Sequence, residues 1–177
     1  MRARAAGVLG AAVVVAATCL ACGGGDGATC SIGAGSLPAA GAVGDYALNG
    51  AVVQADDAQQ LYALIDGAGD RYTSAGFVCL RSGKLSSPGG GADITVSIYD
   101  QGTASGATAV YDAYATSGQS ALTPTRGDAS TENTSLPLNY QAYMRVGRLF
   151  VDVVADSPQS RDSAVAMLDA VLTGLGE

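Results

Sequence analysis

The 177-residue chain contains no histidine and no tryptophan, only two phenylalanines, and nine basic residues against sixteen acidic ones. Without histidine, Ser-His-Asp, Cys-His and HExxH sites are excluded, and the commonest general base and metal ligand is missing. The acidic balance, formally −7, argues against nucleic acid as a partner. The glycine-rich runs GGGDG and GGGAD lack the Lys-Ser/Thr ending and the strand and helix that flank a phosphate loop. IDGAGD lacks the alternating oxygen ligands and closing Glu of a calcium loop. Nothing in the chain calls for a cofactor.

Its first 21 residues read as an export signal. Arg2 and Arg4 precede an uncharged Ala/Val/Leu/Gly run from Ala5 to Ala17, a charged n-region and an h-region. That run is too short for a comfortable membrane span, which needs about 20 apolar residues. It ends in Thr18-Cys19-Leu20-Ala21-Cys22-Gly23, small residues before a Cys that resemble a bacterial lipobox. The resemblance implies that Cys22 is lipidated and becomes the mature N-terminus. Cys19 occupies the usual Leu place, which leaves cleavage before Cys19 as the alternative, and an ordinary secretory signal as another. Gly23, in place of Asp, points to the outer membrane if the cell is Gram-negative.

Residues 22–36, CGGGDGATCSIGAGS, lack apolar periodicity and read as a flexible tether. Loss of residues 1–21 leaves seven basic and sixteen acidic residues, −9, so lipid rather than surface charge would hold the protein to the membrane. Two further cysteines, Cys30 and Cys79, remain in the mature chain. An exported compartment permits a disulfide between them, and the alternative is a pair of free thiols.

Residues 37–177 are long enough for one domain with a single core. Asp45 to Gln54 reads as a first strand, with Gly50 as a bulge. Asp56 and Gln59 suit a capping box, and Leu61, Leu64, Ile65, Ala68 and Tyr72 recur at helical spacing up to Gly76. The helix either runs through Gly67 and Gly69, at about 1 kcal/mol each relative to Ala, or ends near Gly67. Phe77 to Leu80 reads as a buried strand, and Ile94, Val96 and Ile98 alternate with polar residues as its antiparallel partner. Thr103 opens a second helix carrying Ala107, Val110, Tyr111 and Tyr114 on one face. Residues 116–137 form a long connection with one short strand near Leu122. Tyr140 to Val146 and Leu149 to Val153 alternate about Gly147-Arg148, a two-residue hairpin signal that sets Met144 opposite Val151. Ser157 caps a last helix with Val165, Leu168, Leu172 and Leu175 as its stripe and Gly174 as its stop. The sum is a single α+β domain, mainly antiparallel sheet with three helices packed on it.

LYALIDGAGDRYTSAGF, with TVSIYDQGTASGATAVYDAY and VGRLFVDV, resembles a bacterial family known only as a domain of unknown function. Its pattern is aliphatic-Asn-Gly-Ala-Ala-Glu-Leu-Tyr followed by Tyr-Gly-Phe. Ile65, Gly67, Ala68, Tyr72, Gly76 and Phe77 stand at the matching places, while Asp66, Gly69, Asp70 and Arg71 depart from it. The resemblance spans about residues 37–174, implies a shared fold, and carries over no functional residue.

Few residues suggest chemistry. Asp66 and Asp70 lie at i, i+4, a spacing that allows a carboxylate pair but more often marks a solvated acidic face. Arg126-Gly127-Asp128 reads as turn chemistry and Asn133-Thr134-Ser135 as a chance sequon. Tyr99, Tyr111, Tyr114, Tyr140 and Tyr143 either line a groove or pack in the core. The expected function is a non-catalytic, lipid-anchored envelope lipoprotein that binds a protein or glycan partner outside the cytoplasm. The alternative is a glycan hydrolase using carboxylates among Asp66, Asp70, Asp100 and Asp152, which needs two carboxyls about 5–9.5 Å apart. A third class, an assembly subunit, requires a large exposed apolar patch.

Overall fold

Strict alternation about Gly147-Arg148 produces the hairpin at the middle of the sheet. The computed structural model describes residues 28–65, 67–116 and 118–177. Strands β7 (Tyr140–Val146) and β8 (Leu149–Ala155) pair antiparallel, with Met144 opposite Val151 and Val146 opposite Leu149. Gly147 takes φ +54°, the positive value that this turn requires at its first central residue.

Six further strands extend the sheet: β1 (Ala47–Leu48), β2 (Val53–Ala55), β3 (Cys79–Ser86), β4 (Ile94–Asp100), β5 (Ser120–Ala121) and β6 (Ala129–Asn133). The order is β1-β3-β4-β8-β7-β6-β5, with β2 also paired to β3, and every pairing is antiparallel. Four α-helices rather than three pack on it: α1 (Ala58–Leu64), α2 (Gly69–Thr73), α3 (Ala104–Tyr114) and α4 (Arg161–Leu175). The architecture is a single α+β domain.

The extra helix comes from glycine. Gly67 adopts φ +70°, which ends α1, and Gly69 admits the Tyr62 ring where any Cβ would collide with it. The first strand is likewise divided, with Gly50 at φ +97° between β1 and β2. The cap of α1 falls one residue later than Asp56: Asp57 Oδ1 accepts from the Gln60 N–H (2.8 Å), and Gln60 Oε1 accepts from the Asp56 N–H (2.9 Å). Ser157 caps a 3₁₀ turn, Pro158–Ser160, that leads into α4, and the helix passes Gly174 to stop at Gly176, φ +82°. The connection 116–137 holds two strands, β5 and β6, where one is expected.

Because strand residues alternate, the sheet carries two separate cores. On one face, Ile94, Val96, Ile98, Ala142, Met144, Val151 and Val153 pack against Ala164, Val165, Met167, Leu168 and Val171 of α4. The N-terminal segment shares this face through Ile32, Leu37 and Tyr46. On the other face, Leu80, Tyr99, Tyr143 and Phe150 pack against Leu61 of α1, Tyr72 of α2, and Val110 and Tyr111 of α3. The tether expected over 22–36 therefore ends early. Ile32 and Ser36 are buried, and Cys30 is bonded to Cys79 at the start of β3.

Candidate functional site

Two side-chain clusters stand out, one at an end of the sheet and one across its second face. The first centres on Asp100, the last residue of β4 and fully buried. Its Oδ2 accepts from the Ser31 N–H (2.9 Å), the Ser31 hydroxyl (2.7 Å) and Arg148 Nη2 (2.6 Å), and its Oδ1 accepts from the Gly102 N–H (2.8 Å). Burial opposes ionisation of this carboxyl, but the donors from Ser31, Gly102 and Arg148 outweigh it and hold Asp100 below the usual carboxylate range. Arg148 Nη2 also donates to the Thr29 carbonyl (2.6 Å). With Cys30–Cys79 beside it (Cα–Cα 5.6 Å), the cluster fastens the N-terminal segment to the sheet. Four donors from the fold converge on Asp100, three of them on Oδ2, so its charge serves to hold the N-terminal segment and the Arg148 turn together.

The second cluster lies on the face opposite α4. Tyr72 and Tyr99 stack at 4.1 Å between ring centroids, Phe150 lies against Tyr114 and Tyr143 at 5.3 and 5.8 Å, and the Tyr72 and Tyr114 hydroxyls are 2.8 Å apart. The Arg71 guanidinium sits over the Tyr114 ring, 4.3 Å from its centroid. Tyr99, Tyr111 and Tyr143 are buried, so these tyrosines are core and not a groove lining. Tyr140 belongs to the other face, where its hydroxyl donates to Glu132 Oε2 (2.8 Å). The same Glu132 receives two bonds from Arg161 (2.7 and 2.9 Å), and this holds the α4 N-terminus over the sheet.

Among the described residues, helices cover only part of this second face. Beyond Leu80, Tyr99, Tyr143 and Phe150, the strand positions that point the same way include Ser82, Lys84, Thr95, Ser97, Thr131, Asn133, Gln141, Arg145, Asp152 and Val154, none of them fully buried. Ser82 and Ser97 share a hydrogen bond (2.8 Å), and Asp152 Oδ1 accepts from Gln141 Nε2 (3.1 Å). Asp152 is half-buried, and desolvation of its carboxyl beside Tyr143, its cross-strand partner, pushes it up to about 6, with the Gln141 bond opposing the shift. This strip of hydroxyls and carboxamides around one carboxyl suits a hydrogen-bonding ligand or partner.

The structure does not bring Asp70, Asp100 and Asp152 together. Asp100 points to the α4 face and Asp152 to the opposite one, as their registers against Leu149 and Ser97 require. Asp70 accepts from the Tyr62 hydroxyl (2.5 Å) on the exposed surface of α2. Asp66, like Cys22 and the rest of residues 1–27, lies outside the described residues. Arg126 pairs with Asp169 (3.0 Å) and Asp128 with Arg145 (3.1 Å), so the charges of Arg126-Gly127-Asp128 brace the fold. Among the described residues, no group of three or more His, Cys, Asp or Glu is placed to hold a metal ion, and no helix is long and apolar enough to cross a membrane. Gln141 and Arg148 are not singled out by the sequence. Each is an ordinary strand or turn residue until the sheet sets it beside a carboxylate 11 or 48 positions away.

No protein-family model, curated protein or solved structure matches this chain.

The raised Asp152 carboxyl makes stability depend on pH with a definite sign. Its ionisation is less favourable folded than unfolded, so its contribution is fully present below about 4 and declines as pH rises towards about 6. Asp152→Asn should therefore remove a downward slope in urea stability between these limits. Asp100 acts oppositely at lower pH, because its depressed carboxyl loses stabilisation as it is protonated. An unchanged slope in Asp152→Asn would place this carboxyl in the normal range.

Proposed function

We propose that the chain is an exported, lipid-anchored protein of the bacterial envelope whose domain binds a protein or glycan partner without catalysing a reaction. The observation that carries the reading is Cys22 in Leu20-Ala21-Cys22-Gly23, directly behind a charged n-region and an apolar run. The oxidised pair Cys30–Cys79 supports it, since disulfides persist in exported compartments. The resemblance to an uncharacterised bacterial family accords with the same setting. Two features favour binding over catalysis. Asp100 is consumed by structural hydrogen bonds, and Asp152 has Gln141 rather than a second carboxylate as its bonded neighbour. The half-open polar strip around Asp152 is the binding surface in this reading.

Metabolic labelling with a fatty-acid analogue tests the anchor. The wild type should be labelled and Cys22→Ala should not. Continued labelling of Cys22→Ala at an unchanged mature N-terminus would sink the assignment, and label on Cys19 would move the site. For the binding surface, crosslinking in the native envelope should give an adduct that is lost in Asp152→Arg while the folded protein persists.

A further inference from the structure

The seven strand rungs from Leu149 to Ala155 give the sheet two ends about 20 Å apart. At one end lie Cys79, Asp100 and the Gly147-Arg148 turn. Ser31 and the α4 C-terminus, Leu175 and Glu177, line one shallow depression with Arg148 there. At the other lie the 87–93 loop, the 134–139 loop and Asp156. The chain enters the domain at the first end and is held there three times over: by the disulfide at Cys30, by Asp100 at Ser31, and by Arg148 at the Thr29 carbonyl.

The geometry points to a domain that stands on the bilayer with its Arg148 end inward and the open half of its second sheet face outward. This inference rests on lipidation of Cys22. Thr29 is seven residues after Cys22, and seven residues reach at most about 25 Å. That reach is close to the length of the sheet, so the anchored end stays nearest the lipid and the far end is held away from it. The helices then decide what is presented. The aromatic half of the second face, around Phe150 and Tyr99, sits at the anchored end and is covered. Gln141, Asn133 and Val154 lie toward the far end and Asp152 midway, all half-buried and beyond the helices among the described residues.

Fluorescence energy transfer tests the orientation, helped by the absence of any native tryptophan. Glu177→Trp places a single donor at the anchored end, and Leu138→Trp places one at the far end, where Leu138 is 80% exposed. Full-length lipidated variants, reconstituted in phosphatidylcholine vesicles bearing a dansyl headgroup acceptor, should transfer several-fold more efficiently from position 177 than from position 138. Equal or reversed efficiencies would overturn the orientation. A long Gly/Ser insert between Gly24 and Gly25 should shrink the difference, and persistence of the full difference would refute the tether as its cause. Protein that fails to float with the vesicles would instead overturn lipidation itself, and the orientation with it.

Discussion

Met144→Asp or Val151→Asp should each lose about 4 kcal/mol of stability, or fail to fold, because an uncompensated charge at a buried position costs on this scale. Both side chains are fully buried, face each other across β7 and β8, and point into the core beneath α4. Urea denaturation measures the loss. Thr95→Asp provides the contrast, since Thr95 lies on the opposite sheet face across from Lys84, and it should cost far less. A loss at Met144 below about 0.5 kcal/mol, the range of ordinary surface substitutions, would show the register to be wrong.

Breaking the disulfide should be the second large effect. Cys30 and Cys79 are 49 positions apart, and closing a loop of that length restricts the unfolded chain by about 4 kcal/mol in the chain-entropy account. Cys79 is also fully buried, so Ala is the gentler replacement there. The double variant Cys30→Ala/Cys79→Ala should lose about 2–5 kcal/mol, read as a lower urea midpoint. Alkylation before lysis, followed by non-reducing mass spectrometry, should leave both cysteines unmodified in the wild type. Free thiols at both positions would refute the bond in the cell, and an unchanged midpoint would show that Ser31, Asp100 and Arg148 hold the segment unaided.

The parts of the fold that could be read from sequence are those whose cause is local. Gly147 between two alternating runs specifies a turn, a register and a buried face together, which is why the Met144–Val151 pairing is legible. Strand β6 is not, because Ala-Ser-Thr-Glu-Asn has no apolar alternation. Its inward Glu132 is made acceptable only by Arg161, 29 positions later, and by Tyr140. Gly67 signals a possible helix end, and its φ of +70° separates α1 from α2, but the close approach of the Tyr62 ring to Gly69 is a tertiary contact that sequence spacing does not show. Asp56 and Asp57 are adjacent capping candidates, and the choice between them depends on where the chain leaves β2. The candidate site was less legible than the fold. Asp152 looks like any solvent-facing strand residue until the aromatic cluster beside it raises its carboxyl.

The sheet's outermost strands are very short: β1 and β5 have two residues each and β2 has three, while the seven- and eight-residue strands all lie inside. Long bare edges invite another chain to add itself by backbone hydrogen bonds. Lipid-anchored copies would share a two-dimensional surface, where encounters are frequent and side-by-side alignment is favoured. Blunt margins deny such neighbours a template, so crowding on a membrane should leave the copies separate instead of zipping them into ribbons.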